Sequence, residues 1–279
     1  MINNDKPSVL AFVSDLMFTT RIAQGANAAG FEVVWLEDAA VLGEKARNPK
    51  PGESLYGQEG ALFTQISRLQ PALLLFDLTN AHIPWREWIP RLKSSSATRR
   101  IPILCFGPHM DVDEMRLAKK LGADVVIARS KFFGQMVRLF QENGRIPNQN
   151  ALLDICQQPL PAPVKKALEL FNQGKYYECH DNLEAAWRDD PTPGRELYRG
   201  ILQAGIAFYQ IQRGNYRGAV KMLLRVNQWL APLPDTCRGI DIANLRQNIR
   251  QVHDTLLNLG EEQIDAFDTS LFQPIRYKE

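Results

Sequence analysis

Residues 171–187 read FNQGKYYECHDNLEAAW and separate two differently patterned halves of the chain. This segment places His180 and Glu184 four residues apart, so a helix presents both side chains on one face. Leu183 and Trp187 fall on the same face, which otherwise has the composition of a core. The pattern before the segment predicts alternating strands and helices, and the pattern after it predicts helices alone.

An internal repeat with a shift of 40 residues surrounds this segment. Gly174 and Tyr176 recur as Gly214 and Tyr216, and four apolar positions match at the same shift. The matched pairs are Ala167 with Ala207, Phe171 with Ile211, Cys179 with Ala219, and Leu183 with Leu223. The repeat predicts two stacked helical hairpins, each turning at a Gly-x-Tyr sequence.

The repeat also predicts where His180 and Glu184 point. Their counterparts in the second copy are Val220 and Leu224, whose spacing is that of core positions. We therefore expect His180 and Glu184 to be buried, and burying a titratable pair is costly unless the groups find partners. Two interpretations stay open: a hydrogen-bonded structural pair, or a functional pair inside a helical bundle.

Under the functional interpretation, His180 and Glu184 either ligate a divalent metal ion or act as a general base and the group that orients it. Trp187 then forms a wall of the pocket. Metal sites as a rule use more than two protein ligands. Further ligands are not evident from spacing, and Gln203 and His253 on other predicted helices are the candidates.

Five short apolar runs between residues 8 and 128 alternate with amphipathic segments. The runs are SVLAFV, FEVVWL, PALLLFDL, IPILCF and ADVVIA. The third contains consecutive apolar residues, which is typical of a strand buried on both faces. The alternation predicts a doubly wound α/β domain with a parallel five-stranded sheet over residues 1–142. Within it, residues 48–54, NPKPGES, are predicted to form a loop.

Residues 143–163 combine Gly, Asn and Gln with the sequence PLPAP and are predicted to form a linker. Residues 164–279 then carry the 3.6-residue period of amphipathic helices. They are predicted to form an all-α domain, a bundle of helical hairpins.

Ligands of open parallel sheets bind beyond the carboxyl ends of the strands. The residues at these ends are Ser14, Asp15, Asp77, Gly107 and Arg129. Over residues 8–141 this pattern resembles the receiver domain of bacterial response regulators. The resemblance places Asp77 at the position of the phospho-accepting aspartate, Asp15 at a magnesium-binding position, and Arg129 where receivers carry a lysine.

The departures from the receiver pattern concern the groups that support phosphorylation. Ser14 stands where receivers have a second acid, Gly107 where they have Ser or Thr, and Arg129 replaces the lysine. Phosphoryl transfer to a carboxylate depends on a metal ion and a fixed cation. We therefore expect a degenerate receiver in which Asp77 pairs with Arg129 and is not phosphorylated. Such a domain would dimerise or bind a partner rather than catalyse a reaction.

Residues 164–256 resemble a second family. The run FNxGxYxExHxxxExxW, followed by GILQxGIAxYxxxRGNxxGA, resembles the bacterial and archaeal family called domain of unknown function 309. The H-x-x-x-E-x-x-W motif of that family is present as His180, Glu184 and Trp187, and Gln203 also falls on the family pattern. Members are sometimes described as predicted metal-dependent hydrolases, so the resemblance implies a divalent metal ion at His180 and Glu184.

The composition is that of an ordinary globular protein with balanced charge. The 33 basic and 31 acidic residues give a net charge of +2, so we expect neither nucleic acid nor a membrane as partner. The four cysteines lie far apart without a C-x-x-C pair, so we expect reduced thiols in a cytoplasmic protein. They are Cys105, Cys156, Cys179 and Cys237.

Two functions of different classes are therefore predicted. The first is a regulatory or interaction protein, in which a degenerate receiver-like module is joined to a helical domain with a buried His–Glu pair. Its partner would be another protein or a second copy of the chain. The second is a metal-dependent hydrolase that uses His180 and Glu184, with Trp187 and Gln203 lining the site.

Overall fold

The computed structural model describes residues 6–46 and 55–278, so the predicted loop at 48–54 lies outside the described residues. The chain divides into two compact units between Ile146 and Pro147, a position inside the predicted linker. Across the described ranges, no helix combines the length and the apolar character needed to span a membrane.

The first unit alternates five strands with five α-helices, and a 3₁₀ segment, Ala39–Leu42, follows the second strand. The strands and α-helices are β1 (Ser8–Phe12), α1 (Leu16–Ala28), β2 (Glu32–Trp35), α2 (Gly57–Leu69), β3 (Leu73–Asp77), α3 (Trp85–Ser94), β4 (Ile103–Gly107), α4 (Val112–Lys120), β5 (Val125–Ala128) and α5 (Arg129–Asn143). Neighbouring strands pair in parallel in the order β2-β1-β3-β4-β5. This is a doubly wound order of the flavodoxin-like type, and the predicted five-stranded parallel sheet is confirmed.

Helices cover both faces of this sheet because its strands are apolar on both faces. The three central strands, β1, β3 and β4, are buried along their whole length. Alternate residues such as Val9, Leu75 and Phe106 pack in one cluster with Ile22 of α1 and Phe132 of α5. Residues of the opposite pleat pack elsewhere; the ring of Phe12 stacks on that of Phe76 at 4.1 Å.

The second unit is built mainly from helices. They are α6 (Gln149–Cys156), α7 (Ala162–Asn172), α8 (Cys179–Asp189), α9 (Arg195–Gln212), α10 (Tyr216–Leu230) and α11 (Ile242–Leu259). Helix α7 packs on α8, α8 on α9, α9 on α10, and α10 on α11. Two short 3₁₀ segments, Glu261–Ala266 and Thr269–Leu271, follow α11.

Two helical hairpins, α7–α8 and α9–α10, correspond to the two copies of the repeat. Their turns contain Gly174 at φ 77° and Gly214 at φ 66°, a conformation that glycine adopts without steric cost. Tyr176 and Tyr216 follow these glycines and are both buried. The repeat therefore predicted the hairpins and the chemistry of their turns.

A disulfide bond joins Cys156 at the end of α6 to Cys237. The prediction that all four cysteines are reduced is wrong for this pair. The two cysteines are 81 residues apart in the sequence. The absence of a C-x-x-C pair therefore says nothing about whether they form a disulfide. Cys105 and Cys179 are free thiols, and both are buried.

Cys237 lies in a short antiparallel hairpin formed by β6 (Thr236–Cys237) and β7 (Ile240–Asp241). Arg238 and Gly239 form its two-residue turn with φ values of 50° and 81°. The backbone N–H of Arg238 donates to the Cys156 carbonyl at 2.7 Å. The buried Arg238 side chain also lies 3.2 Å from Asp190 Oδ2, just after α8. This contact ties α6, the hairpin and the end of α8 together.

Candidate functional site

His180 and Glu184 lie on α8 with their side chains in contact range. Nδ1 of His180 is 3.7 Å from Glu184 Oε2, as the four-residue spacing predicts, and 3.4 Å from Asp181 Oδ1. Glu184 Oε1 is also 4.0 Å from Arg188 one turn further along. The pair is therefore part of a row of ionisable groups along α8, which also includes Asp181 and Arg188.

The expectation that this pair is buried is wrong. The side chain of His180 is 33% exposed and that of Glu184 is 46% exposed. Their counterparts in the repeat, Val220 and Leu224, are each 1% exposed. Helix α10 packs on α9, on α11 and on the 3₁₀ segment Glu261–Ala266, whereas in the described residues α8 packs chiefly on α7 and α9. Positions that are equivalent in the repeat are therefore buried to different extents, because different elements pack on the two helices.

A metal ion needs more donors than this site provides. Among the residues that the structure describes, no group of three or more His, Cys, Asp or Glu side chains is arranged to hold a metal. His180 and Glu184 supply two donors, which is fewer than protein metal sites use as a rule. The arrangement is instead that of an exposed row of i,i+4 contacts, and His180 at its end is reachable from solvent.

Trp187 contacts two arginines of α9. The guanidinium carbon of Arg195 lies 4.4 Å from the Trp187 ring centre and that of Arg199 lies 5.2 Å from it. Arg199 also covers the ring of Trp229 on α10 at 4.1 Å. These cation–π contacts join three consecutive helices. No sequence argument predicted this cluster, although Arg195 and Arg199 are four residues apart on α9.

Gln203 is engaged away from the His–Glu pair. Its Oε1 accepts a hydrogen bond from Trp229 Nε1 at 2.9 Å. A series of side-chain contacts therefore runs from Gln203 through Trp229 and Arg199 to Trp187. His180 and Glu184 are not part of this series. His253, the other candidate ligand, is buried in α11, which packs on α10.

Asp15, the remaining acid after the first strand, caps a helix. Its Oδ1 accepts hydrogen bonds from the backbone N–H groups of Met17 at 2.8 Å and Phe18 at 3.3 Å. Such a cap satisfies donors at the start of α1 that otherwise have no partner. The neighbouring position, where receivers carry another acid, is the neutral Ser14.

Asp77 lies at the carboxyl end of β3 and is almost fully buried. Its Oδ1 accepts hydrogen bonds from Thr79, at 3.0 Å from the backbone N–H and 2.7 Å from the hydroxyl. Nη2 of Arg129 lies 3.7 Å from the same oxygen and donates to the Thr79 hydroxyl at 2.9 Å. The predicted Asp77–Arg129 ion pair is present, and Thr79 links the two. A threonine two residues after a strand-end aspartate is the sequence signal for this turn.

The comparisons with known proteins concern the two halves of the chain separately. Residues 164–222 match the family model described as domain of unknown function DUF309. A protein of Aquifex aeolicus named "Uncharacterized protein" is 27% identical over 124 residues, which is 43% of this chain and 36% of the relative. The "Uncharacterized protein YpuF" of Bacillus subtilis is 39% identical over 63 residues, 22% of this chain and 36% of the relative. The chain thus spans about a third of the length of these curated relatives.

Solved structures match the other half. A response regulator of Thermotoga maritima has 16% sequence identity and a TM-score of 0.35, and the match covers 49% of this chain and 96% of that one. The receiver domain of a sensor histidine kinase from Pseudomonas aeruginosa has 12% identity and a TM-score of 0.38, covering 50% and 97%. The two halves of the chain are thus similar to different proteins: one half to response-regulator receiver domains in structure, and the other to the DUF309 family model at residues 164–222.

Proposed function

We propose that this chain is a regulatory or interaction protein whose receiver-like unit works without phosphorylation of Asp77. The observation that carries the proposal is the engagement of Asp77 Oδ1 by Thr79 and by Arg129. This carboxylate is buried and already partnered, so it is a poor nucleophile towards a phosphodonor. The guanidinium of Arg129 is permanently charged, so the positive charge beside Asp77 is always present.

The acids at this end of the sheet also support the proposal. A magnesium ion prefers several oxygen ligands in octahedral geometry. Ser14 supplies no carboxylate, and Asp15 already accepts two hydrogen bonds from the start of α1. Without a bound cation, the charge that develops on a transferring phosphoryl group is not neutralised.

Magnesium binding tests this part of the proposal. In a calorimetric titration we expect no saturable binding of Mg²⁺ to the wild-type chain at millimolar concentration. The Ser14→Asp, Arg129→Lys double variant restores the second acid and the lysine of the receiver pattern and should gain binding. Saturable binding to the wild type that disappears in Asp77→Asn would contradict the proposal.

Association with another protein surface is the second part of the proposal, and we assign a second copy of this chain as the partner. Four apolar side chains are exposed where α1 and α4 begin, at the carboxyl edge of the sheet. They are Leu16, Met17, Met110 and Val112. Exposed apolar side chains at the starts of these two helices favour contact with another protein. The near-zero net charge of +2 gives little repulsion between copies of the chain.

Sedimentation velocity measures this association. We expect the wild type to form dimers as concentration rises, and the Met17→Glu, Met110→Glu double variant to remain monomeric. Tyr177→Glu is the matched control, because Tyr177 is an exposed apolar side chain of the second unit. A wild type that sediments as a monomer at all concentrations, or a double variant that still associates, contradicts self-association at this edge.

A hydrolase is the second candidate, and the solvent-accessible contact between His180 and Glu184 is the observation in its favour. The carboxylates of Asp181, 3.4 Å from Nδ1 of His180, and of Glu184, 3.7 Å from it, favour a proton on that nitrogen and leave Nε2 as a base. The donor set does not fit a resident metal ion, so His180 would act directly as the general base.

Activity against a panel of chromogenic esters and phosphate esters tests the hydrolase. Turnover in the wild type that falls by about 10²–10⁴ in His180→Ala and less in Glu184→Gln supports it, since this is the range of general-base catalysis. Arg188→Ala is the control on the same row of α8. Absence of turnover in the wild type, or turnover that His180→Ala retains, rejects the hydrolase.

A further inference from the structure

An open pocket lies between α1, the segment after β4 and the start of α5. Its volume is about 540 Å³, within the range of small-molecule sites. Its lining includes Phe18, Arg21, His109, Arg129, Phe133 and Gly134. The pocket opens beside the Asp77–Arg129 pair. Neither His180 nor Glu184, the residues of the candidate hydrolase, lines it.

The charge of this lining is positive. Arg21 and Arg129 both line the pocket, together with His109, and none of the described residues that line it is acidic. Within the described ranges, Arg21 makes no ion pair. The distance from Arg129 Nη2 to Asp77 Oδ1 is 3.7 Å, which is too long for a hydrogen bond. Helix α5 also begins at this wall without a side-chain cap, so its first N–H groups add partial positive charge.

Two phenyl rings fix the positions of the arginines. The ring centres of Phe18 and Phe133 are 5.2 Å apart. Arg21 covers the Phe133 ring at 4.2 Å and Arg129 covers the Phe18 ring at 4.7 Å. A guanidinium that lies over a ring can still donate from its N–H edge, so Arg21 can donate to an anion, and Arg129 can donate with the N–H groups that it does not give to Thr79. Both cations are therefore positioned before any ligand arrives, which lowers the entropic cost of binding.

We propose that this pocket binds a small organic anion. A phosphate or carboxylate group lies between Arg21 and Arg129, and an apolar ring of the ligand packs near Phe18 and Phe133. Planar, bidentate recognition of such oxyanions is what arginine provides and lysine does not. The receiver-like unit would then respond to a ligand that it binds, with no covalent change at Asp77.

Ligand-observed NMR with a defined set of probes tests the proposal. We expect phenyl phosphate or phenylacetate to bind the wild type, and whichever binds more tightly identifies the anionic group. Arg21→Gln should weaken that binding about tenfold or more, the usual effect of losing a hydrogen bond to a charged group. Arg116→Gln is the matched control, because Arg116 is an exposed arginine of α4 that pairs with Asp113. Equal losses in the two variants would overturn the proposal.

Filling the pocket provides a second test that does not alter charge. A Cβ built on Gly134 meets nothing within 4 Å, so Gly134→Leu places a side chain at the lining without a backbone clash. We expect this variant to fold and to lose binding of both probes. The proposal is rejected if neither probe binds the wild type, if benzyl alcohol or inorganic phosphate binds as tightly as the probes, or if Gly134→Leu retains full affinity. These outcomes are independent of whether Asp77 accepts a phosphoryl group.

Discussion

Arg129 places its guanidinium 3.7 Å from the carboxylate of Asp77, and only 4% of the Asp77 side chain is exposed. A buried carboxylate that loses a charged partner bears an uncompensated desolvation cost. We therefore expect Arg129→Ala to lower the free energy of unfolding of the first unit by about 1–3 kcal/mol, measured by urea denaturation.

Two variants make this prediction specific to the ion pair. Arg116→Ala removes an exposed arginine and should change stability by less than about 0.5 kcal/mol. In an Asp77→Asn background, Arg129→Ala should cost less than it does in the wild type, because the charge that it compensates is gone. Equal costs in both backgrounds would show that the two residues are not coupled.

Thiol reactivity distinguishes the disulfide from the free cysteines. Burial raises the pKa of Cys179 to about 12, and burial also raises the pKa of Cys105 above its usual range. Both thiols stay protonated at pH 8, and the thiolate is the reactive form. With a thiol reagent we expect no modification of the folded protein, two cysteines modified after denaturation, and all four after denaturation with a reductant. Four reactive thiols without a reductant would contradict the disulfide.

The raised pKa of Cys179 also sets a direction for stability at high pH. The folded state holds the thiol proton more tightly than the unfolded state. This contribution to stability is complete below the ordinary thiol pKa of 9.0 and is lost as the pH rises towards about 12. Urea denaturation of the second unit between pH 9 and pH 12 measures this loss of stability, and we expect Cys179→Ala to remove part of it. Parallel stability–pH profiles of the wild type and the variant would show that ionisation of Cys179 does not cause the loss.

Reduction of the Cys156–Cys237 disulfide should loosen the region around α6. The bond closes a loop of 81 residues, and by the chain-entropy account its loss costs about 3–5 kcal/mol. Hydrogen-exchange mass spectrometry should show faster exchange in α6 and β6–β7 after treatment with a dithiol. The Cys156→Ser, Cys237→Ser double variant serves as control, because the dithiol should leave its exchange unchanged. Wild-type exchange that is insensitive to the dithiol would contradict the prediction.

The His180–Glu184 pair should contribute little to stability. Partly exposed ion pairs are worth about 0–1 kcal/mol, so His180→Ala should destabilise the second unit by less than about 1 kcal/mol. Leu183→Ala on the same helix is the comparison, because Leu183 is fully buried and its truncation should cost about 2–5 kcal/mol. A cost for His180→Ala as large as that for Leu183→Ala would restore the interpretation of a buried structural pair.

The fold could be predicted from the sequence because its signals are local. The apolar runs around Leu74 and Leu104 are typical of strands covered on both faces, and both strands are fully buried. The turns at Gly174 and Gly214 were predicted from a repeated tripeptide, and both glycines have positive φ. Each of these signals depends on residues that lie within one or two elements.

The sites could be predicted only in part, because they depend on contacts between distant elements. The Asp77–Arg129 pair follows from strand ends that a parallel sheet brings together. The exposure of His180 does not follow from the repeat, since it depends on which helix covers α8. The Cys156–Cys237 bond and the stacking of Arg21 on Phe133 involve residues far apart in the chain, with no local pattern to indicate them.

The state of Asp77 is the most direct test of the account as a whole. The wild-type chain, incubated with acetyl phosphate and Mg²⁺, should show no added phosphoryl group by intact-protein mass spectrometry. The Ser14→Asp, Arg129→Lys variant should become modified under the same conditions, which shows that the assay detects the acyl phosphate. A phosphoryl group on the wild type that is absent from Asp77→Asn would contradict the account.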